Sequence, residues 1–166
     1  MKEQYIIKPL NNSYSEAIVE LILPIQQLEF NVAISVADQP DLLAIETAYQ
    51  QDGGNFWGAF NGEELVGTIA LIAIGHQAGA IRKMFVKQEF RGKEKGIAQQ
   101  LLNHLIAYCE AKNITDIYLG TIAQMNAAQR FYERNGFEKI EANELPAYFP
   151  RMRVDNLFYH LNLNKA

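Results

Sequence analysis

The stretch Met84-Phe85-Val86-Lys87-Gln88-Glu89-Phe90-Arg91-Gly92-Lys93-Glu94-Lys95-Gly96-Ile97-Ala98-Gln99-Gln100-Leu101-Leu102 decides how this chain is read. It begins as the end of a strand, passes through a short basic turn and opens an amphipathic helix. Gly92 and Gly96 let the backbone come close to a ligand, because neither carries a side chain. The start of the helix offers amides with no intrahelical acceptor and the positive end of the helix dipole. Arg91, Lys93 and Lys95 add charge there, and Glu94 opposes it. The arrangement predicts an anion site, with a diphosphate as the best fit. No Gly-Lys-Ser/Thr closes the turn, so it is not a P-loop, and it lacks the GxGxxG dinucleotide fingerprint. The plainer alternative is a solvated basic turn that caps a helix.

Working outward, the helix from Gly96 to about Lys112 places Ile97, Leu101, Leu105 and Cys109 on one stripe, with Ala98, Leu102 and Ile106 beside it. Upstream, Phe56 to Phe60, the turn Asn61-Gly62 and Leu65 to Ile74 predict a hairpin. Gly79-Ala80 precedes a strand over Ile81 to Val86. Downstream, Ile117-Tyr118-Leu119 reads as a strand. A short helix over Asn126 to Asn135 follows, with Asn126 as N-cap, Gln129 as its capping-box partner and Gly136 as C-terminal cap. Phe137 to Ile140 and Asn156 to Leu163 are the last strands. Near the start, Tyr5 to Lys8 suits a strand. Ser13-Tyr14-Ser15-Glu16 has capping-box spacing ahead of Ala17, Ile18, Leu21, Ile22, Ile25 and Leu28, and Pro24 is expected to kink or end that helix. Asp38-Gln39-Pro40-Asp41 predicts a second helix carrying Leu42, Leu43, Ile45 and Tyr49. The order predicts one α/β (α+β) domain over residues 1–166 with a mixed central sheet.

Composition narrows the function. Apolar residues make up 49% and charged residues 20% of 166 residues, as in a globular protein that buries a core. A net charge of −4 argues against a broad nucleic-acid or anionic-membrane surface. Neither a signal-peptide core at Met1-Lys2-Glu3-Gln4-Tyr5 nor a ~20-residue apolar span is present. Cys109 is the single cysteine, so there is no internal disulfide, and a reducing cytoplasm is the expected setting. His76, His104 and His160 lie far apart without metal-ligand spacing, and no metal is expected. Cys109 is expected in the core and Trp57 packed on the sheet.

Val86, the Arg-Gly turn, Gly-Ile-Ala and a Leu-Leu helix resemble the acetyl-CoA-binding motif of the GNAT superfamily of N-acetyltransferases, Arg/Gln-x-x-Gly-x-Gly/Ala. Lys93-Glu94-Lys95-Gly96-Ile97-Ala98 fits it with lysine in the first slot, while Arg91 lies two positions early; either the loop is longer here or Lys93 fills that slot. Asn126-Ala127-Ala128-Gln129-Arg130-Phe131-Tyr132-Glu133-Arg134-Asn135-Gly136-Phe137 is similar to the family's later Asn-x-x-Ala-x-x-Phe-Tyr-x-x-x-Gly-Phe stretch, with alanine shifted by one place. With Gly67 to Ala70, the resemblance covers roughly Phe56 to Ile140.

The resemblance implies a GNAT-like fold with a splayed pair of strands flanked by helices. It implies acetyl-CoA as co-substrate and direct transfer of acetyl to an amine. The cofactor-binding residues would be Met84, Phe85, Val86, Arg91, Gly92, Lys93, Glu94, Lys95, Gly96, Ile97, Ala98, Asn126 and Tyr132. Tyr132 would be the general acid that protonates the leaving thiolate; its plainer role is packing the short helix. Family members often carry a glutamate on the strand that ends at Val86. Here Ala80-Ile81-Arg82-Lys83-Met84 holds no acid, which leaves Glu29, Asp38, His76 and Glu89 as candidate bases, or a water chain, or an amine that arrives neutral. Glu29, Phe30 and Tyr148 would wall the acceptor site. The acceptor would be a small amine, a peptide N-terminus or a lysine, and a homodimer is compatible with the family. The competing readings are a CoA-binding regulatory module without catalysis and, more remotely, a nucleotide-phosphate binder.

Overall fold

The computed structural model describes residues 5–123, 125–152 and 155–164. Seven strands form one sheet: β1 (Ile6–Pro9), β2 (Asn55–Asn61), β3 (Glu64–Gly75), β4 (Ala78–Val86), β5 (Asp116–Thr121), β6 (Glu138–Ile140) and β7 (Leu157–Asn162), in the spatial order β1-β2-β3-β4-β5-β7-β6. Neighbouring strands are antiparallel except β4 and β5. That parallel pair needs a crossover, which α2 (Ile97–Ala111) supplies. The other α-helices are α1 (Ser15–Pro24) and α3 (Asn126–Arg134).

Alternation along the strands gives the sheet two apolar faces. On one, Ile97, Leu101, Leu102, Leu105 and Cys109 of α2 pack on Trp57, Ile69, Leu71, Ile81 and Ile117. On the other, Ile18, Leu21 and Ile22 of α1 join Leu42, Ile45 and Tyr49 against Phe56, Phe60 and Ala70. The predicted stripe of α2 and the buried Cys109 therefore hold, and burial pushes the Cys109 thiol up to about 12.

The first half departs from the predicted helices. Ser13 does not cap α1: Tyr14 holds that position without a side-chain bond, and Asn11 caps a 3₁₀ turn over Asn12–Tyr14, its side-chain oxygen accepting the Ser13 amide at 2.9 Å. Pro24 ends α1 as expected, but not the helical path. The chain widens into a π-helical turn over Ile25–Glu29, closed by the Phe30 amide on the Ile25 carbonyl at 3.1 Å. A wider turn absorbs the missing proline amide. The second predicted helix is two short pieces, a 3₁₀ turn over Pro40–Leu43 and a π-helical turn over Glu46–Gln50, broken at Ala44 with φ −144°. The β2–β3 turn is Gly62-Glu63, one residue later than predicted, since Asn61 still pairs with Glu64.

Two features of β4 position the site. It pairs with β5 only from Ala78↔Asp116 to Ala80↔Tyr118, after which the strands part as the resemblance implied. It also carries a bulge: Thr68 faces Phe85 and Ala70 faces Arg82, so Lys83 and Met84 together oppose Ile69. Lys83 takes φ +53°, and the Thr68 hydroxyl donates to its carbonyl at 2.7 Å. The extra residue resets the alternation, so Arg82 and Lys83 both serve the α1 side while Met84 packs on the α2 side. No described helix is long and apolar enough to cross a membrane.

Candidate active site

The parting of β4 and β5 opens a cleft of about 120 Å³. Ile81 to Phe85 form one wall and Leu119 to Ile122 the other. Ala128 and Tyr132 of α3 close one side, and Gln26, Val32 and Ile34 reach in from the segment after α1. Met152 and Asp155 enter from the loop before β7.

At one end of the cleft lies the glycine turn. Gly92 has φ +120° and Gly96, at the N-cap position just before α2, has φ +66°. Both values favour glycine, so the backbone path of the turn depends on them. The amides of Ile97, Ala98 and Gln99 open α2 and so have no intrahelical acceptor. Arg91 does not reach toward this point. Its Nε donates to the Val86 carbonyl at 2.8 Å, and its guanidinium makes a two-pronged ion pair with Glu29, one arm at 2.7 Å. Lys93 and Lys95 are therefore the cations left to the turn. Glu94 is exposed, and its carboxylate folds back over Gly92.

Tyr132 of α3 is buried beside β4. The ring is 6% exposed, and its hydroxyl donates to the Met84 sulfur at 3.5 Å. Burial, and then the Asp155 carboxylate, hold the phenol above its ordinary value, so it keeps its proton. Asn126 is not an N-cap. The helix starts at Asn126 itself, Met125 occupies the cap position without a side-chain bond, and Gln129 donates to the Ala123 carbonyl at 2.8 Å instead. Asn126 is exposed.

On the α1 side of the sheet a buried polar network backs β4. Gln26 and Gln39 exchange amide bonds at 3.1 and 2.9 Å. The Lys83 ammonium donates to the Gln39 side-chain oxygen and lies 3.8 Å from Asp41, which accepts from the Tyr49 hydroxyl. Arg82 donates to the Pro150 carbonyl and stacks over Phe149. Burial pulls both cations below their ordinary values.

The other candidates lie elsewhere. Glu29 is held by Arg91, whose hydrogen bond and charge outweigh burial and lower its carboxyl, so it is a poor base. Neither it nor Phe30, which packs on the α1-side core, lines the cleft; Gln26, Val32 and Ile34 do. Tyr148 stacks on His76 at 4.0 Å, beside the tight turn joining β3 to β4, and Met152 and Asp155 of the same loop line the cleft in its place. Asp38 binds the Ser35 amide at 3.0 Å, and Glu89 is exposed in a 3₁₀ turn. Among the described residues no cluster of three or more His, Cys, Asp or Glu could hold a metal ion. Sequence reasoning missed Asp155, Lys83 and the glutamine pair. A lone polar residue has no spacing signal, and a bulge leaves no mark on composition.

A family model described as the acetyltransferase (GNAT) family matches residues 19–137. The crystal structure of a GNAT-family acetyltransferase from Staphylococcus aureus Mu50 superposes with a TM-score of 0.92 at 44% identity, over 96% of this chain and 99% of that one. An acetyltransferase from Streptococcus agalactiae 2603 gives 0.91 at 31% identity, over 96% and 98%. The N-acetylaspartate synthetase of Danio rerio is 32% identical over 126 residues, 73% of this chain and 44% of that protein. The chain spans about half the length of the curated relatives it matches.

Proposed function

Because the chain belongs to the GNAT acetyltransferase family, we propose that it moves an acetyl group from acetyl-CoA directly to a primary amine held in the β4–β5 cleft. The observation that carries this reading is the parting of β4 from β5 after Ala80, with the Tyr132 hydroxyl on one side and the start of α2 at one end. A strand edge without a partner offers backbone groups to an extended ligand, and the amides of α2 offer an anion site. Several relatives are named as acetyltransferases, which supports transfer over binding without chemistry.

In this reading Gly92, Lys93, Glu94, Lys95, Gly96, Ile97 and Ala98 cradle the diphosphate. Met84, Phe85 and Val86 align the extended arm of the co-substrate, and Asn126 bonds it from the start of α3. Arg91 acts indirectly, by tying the end of β4 to the turn after α1. Tyr132 already donates to one sulfur, that of Met84. Redirected to the sulfur of the leaving thiolate, the same hydroxyl supplies the proton that lets the carbon–sulfur bond break. Its raised affinity for that proton keeps it in the acid form at neutral pH. No serine or cysteine lines the cleft among the described residues, which favours direct transfer over an acyl-enzyme. Glu29, Phe30 and Tyr148 would shape the approach to the acceptor from outside the cleft rather than line it.

The test is calorimetric titration with acetyl-CoA, CoA and ATP, followed by turnover with a panel of primary amines. Micromolar binding of acetyl-CoA unmatched by ATP, and CoA formation with at least one amine, are expected. Tyr132→Phe should leave acetyl-CoA affinity in place and slow turnover by about 100-fold or more. Absent binding, or an unslowed Tyr132→Phe, would refute the respective assignment.

A further inference from the structure

We propose that Asp155 is the general base of this site, taking the proton from the incoming ammonium. The inference rests on the acetyl-transfer reading and deepens it.

Asp155 lines the cleft together with Tyr132, Arg82 and Lys83. Its Oδ2 is out of contact with solvent, yet accepts no hydrogen bond among the described residues. Buried carboxylate oxygens are ordinarily paired, and one left without a donor loses solvation for no return. The fold nevertheless makes room for it. A β-carbon on Gly120 would lie 2.4 Å from that oxygen, so the carboxylate rests against the β5 backbone only because residue 120 is glycine. The loop is held by backbone bonds on both sides of the carboxylate: the Asp155 amide donates to the Met152 carbonyl at 3.2 Å, and the Asn156 amide to the Thr121 carbonyl at 2.9 Å. What such an oxygen lacks is a donor, and rotation of the carboxylate about its Cβ–Cγ bond turns it into the cleft that Asp155 lines, where an ammonium is one.

The charged and titratable groups around Asp155 are Arg82 and Lys83 on β4, Arg151 in its own loop and Tyr132 on α3. The three cations favour the carboxylate, but burial outweighs them and lifts its proton affinity above that of an ordinary aspartate. A base moved toward neutral is better matched to an ammonium than an exposed carboxylate.

The step balances as follows. The ammonium passes one proton to the Asp155 carboxylate, which leaves a lone pair on nitrogen. That pair forms the carbon–nitrogen bond to the acetyl carbonyl carbon. The carbon–sulfur bond breaks with its electron pair going to sulfur, and sulfur takes the Tyr132 proton. The second proton leaving nitrogen restores the phenol through solvent, and Asp155 returns its proton to solvent, so one proton is released per acetyl transferred.

The experiment compares wild type, Asp155→Asn and Asp155→Glu with acetyl-CoA and spermidine, L-aspartate and a tripeptide with a free α-amine. It follows CoA formation against pH and acetyl-CoA binding by calorimetry. Asp155→Asn should bind acetyl-CoA as wild type does and lose about 100-fold in kcat/KM at neutral pH. That deficit should shrink as pH rises toward the amine's own pKa, where the amine is already neutral. Asp155→Glu should recover part of the rate. A merely structural role would lower the rate equally at every pH, and that result, or an Asp155→Asn enzyme equal to wild type, would overturn the assignment. If wild-type protein neither binds acetyl-CoA nor acetylates any of the amines, the transfer reading itself fails and Asp155 falls with it.

Discussion

The two sides of the cleft are built from different materials. On the α2 side the elements are glycines, backbone amides and two lysines, Lys93 exposed and Lys95 half-buried, all within one continuous stretch of chain. On the α1 side they are side chains from four separate segments: Gln26 after α1, Gln39 and Asp41 beyond it, Lys83 on β4 and Asp155 before β7. A ligand common to a whole family can be held by backbone, which any sequence supplies. An acceptor that differs between enzymes must be held by side chains, and those are free to vary. The difference teaches where each half of the chemistry is encoded.

Variants can break this comparison or sharpen it. The largest effect is expected from Gly96→Val. A β-branched residue at φ +66° is strained by about 1–2 kcal/mol and crowds the turn. Calorimetry should show acetyl-CoA binding weakened at least tenfold, and unaltered binding would mean the ligand does not use this turn. Gln39→Leu is the complementary change. It leaves the Gln26 amide and the Lys83 ammonium short of a buried partner, at a cost of about 1–3 kcal/mol in denaturant unfolding. Acetyl-CoA affinity should stay as it is while the KM for the amine rises. Equal damage to both would erase the distinction between the two sides.

The smallest effect is expected from Glu29→Gln, where the two sides meet. Arg91 lowers the Glu29 carboxyl below its ordinary 4.5 in the folded chain, so the ionised form favours folding. That contribution is present above 4.5 and is lost as pH falls through the folded value. The pair is partly exposed, so its worth is below about 1 kcal/mol. Wild type should exceed the variant slightly in unfolding free energy at neutral pH, and the two should converge in acid.

The mixed sheet, the α2 stripe and the glycine turn were legible in the sequence because each follows from a local period or a contiguous motif. The first half was less so. Around Pro24 and Ala44 the apolar period is helical, yet tertiary contacts select π-helical and 3₁₀ turns with the same apolar face. The capping boxes at Ser13 and Asn126 failed because nearby side chains, Asn11 and Gln129, found other partners. Arg91 matched the family's chemistry, but Glu29 claims it from 62 residues away. Asp155 was illegible for the same reason: its meaning comes from Gly120 on a different strand.

Cys109 has a practical consequence. Its thiol is fully buried and holds its proton strongly, so it offers almost no thiolate to an electrophile. The folded protein is thus silent toward thiol-reactive dyes. A colorimetric assay that counts free sulfhydryls would register the CoA set free at each turnover against a dark background, and a sudden colour without acetyl-CoA would report unfolding.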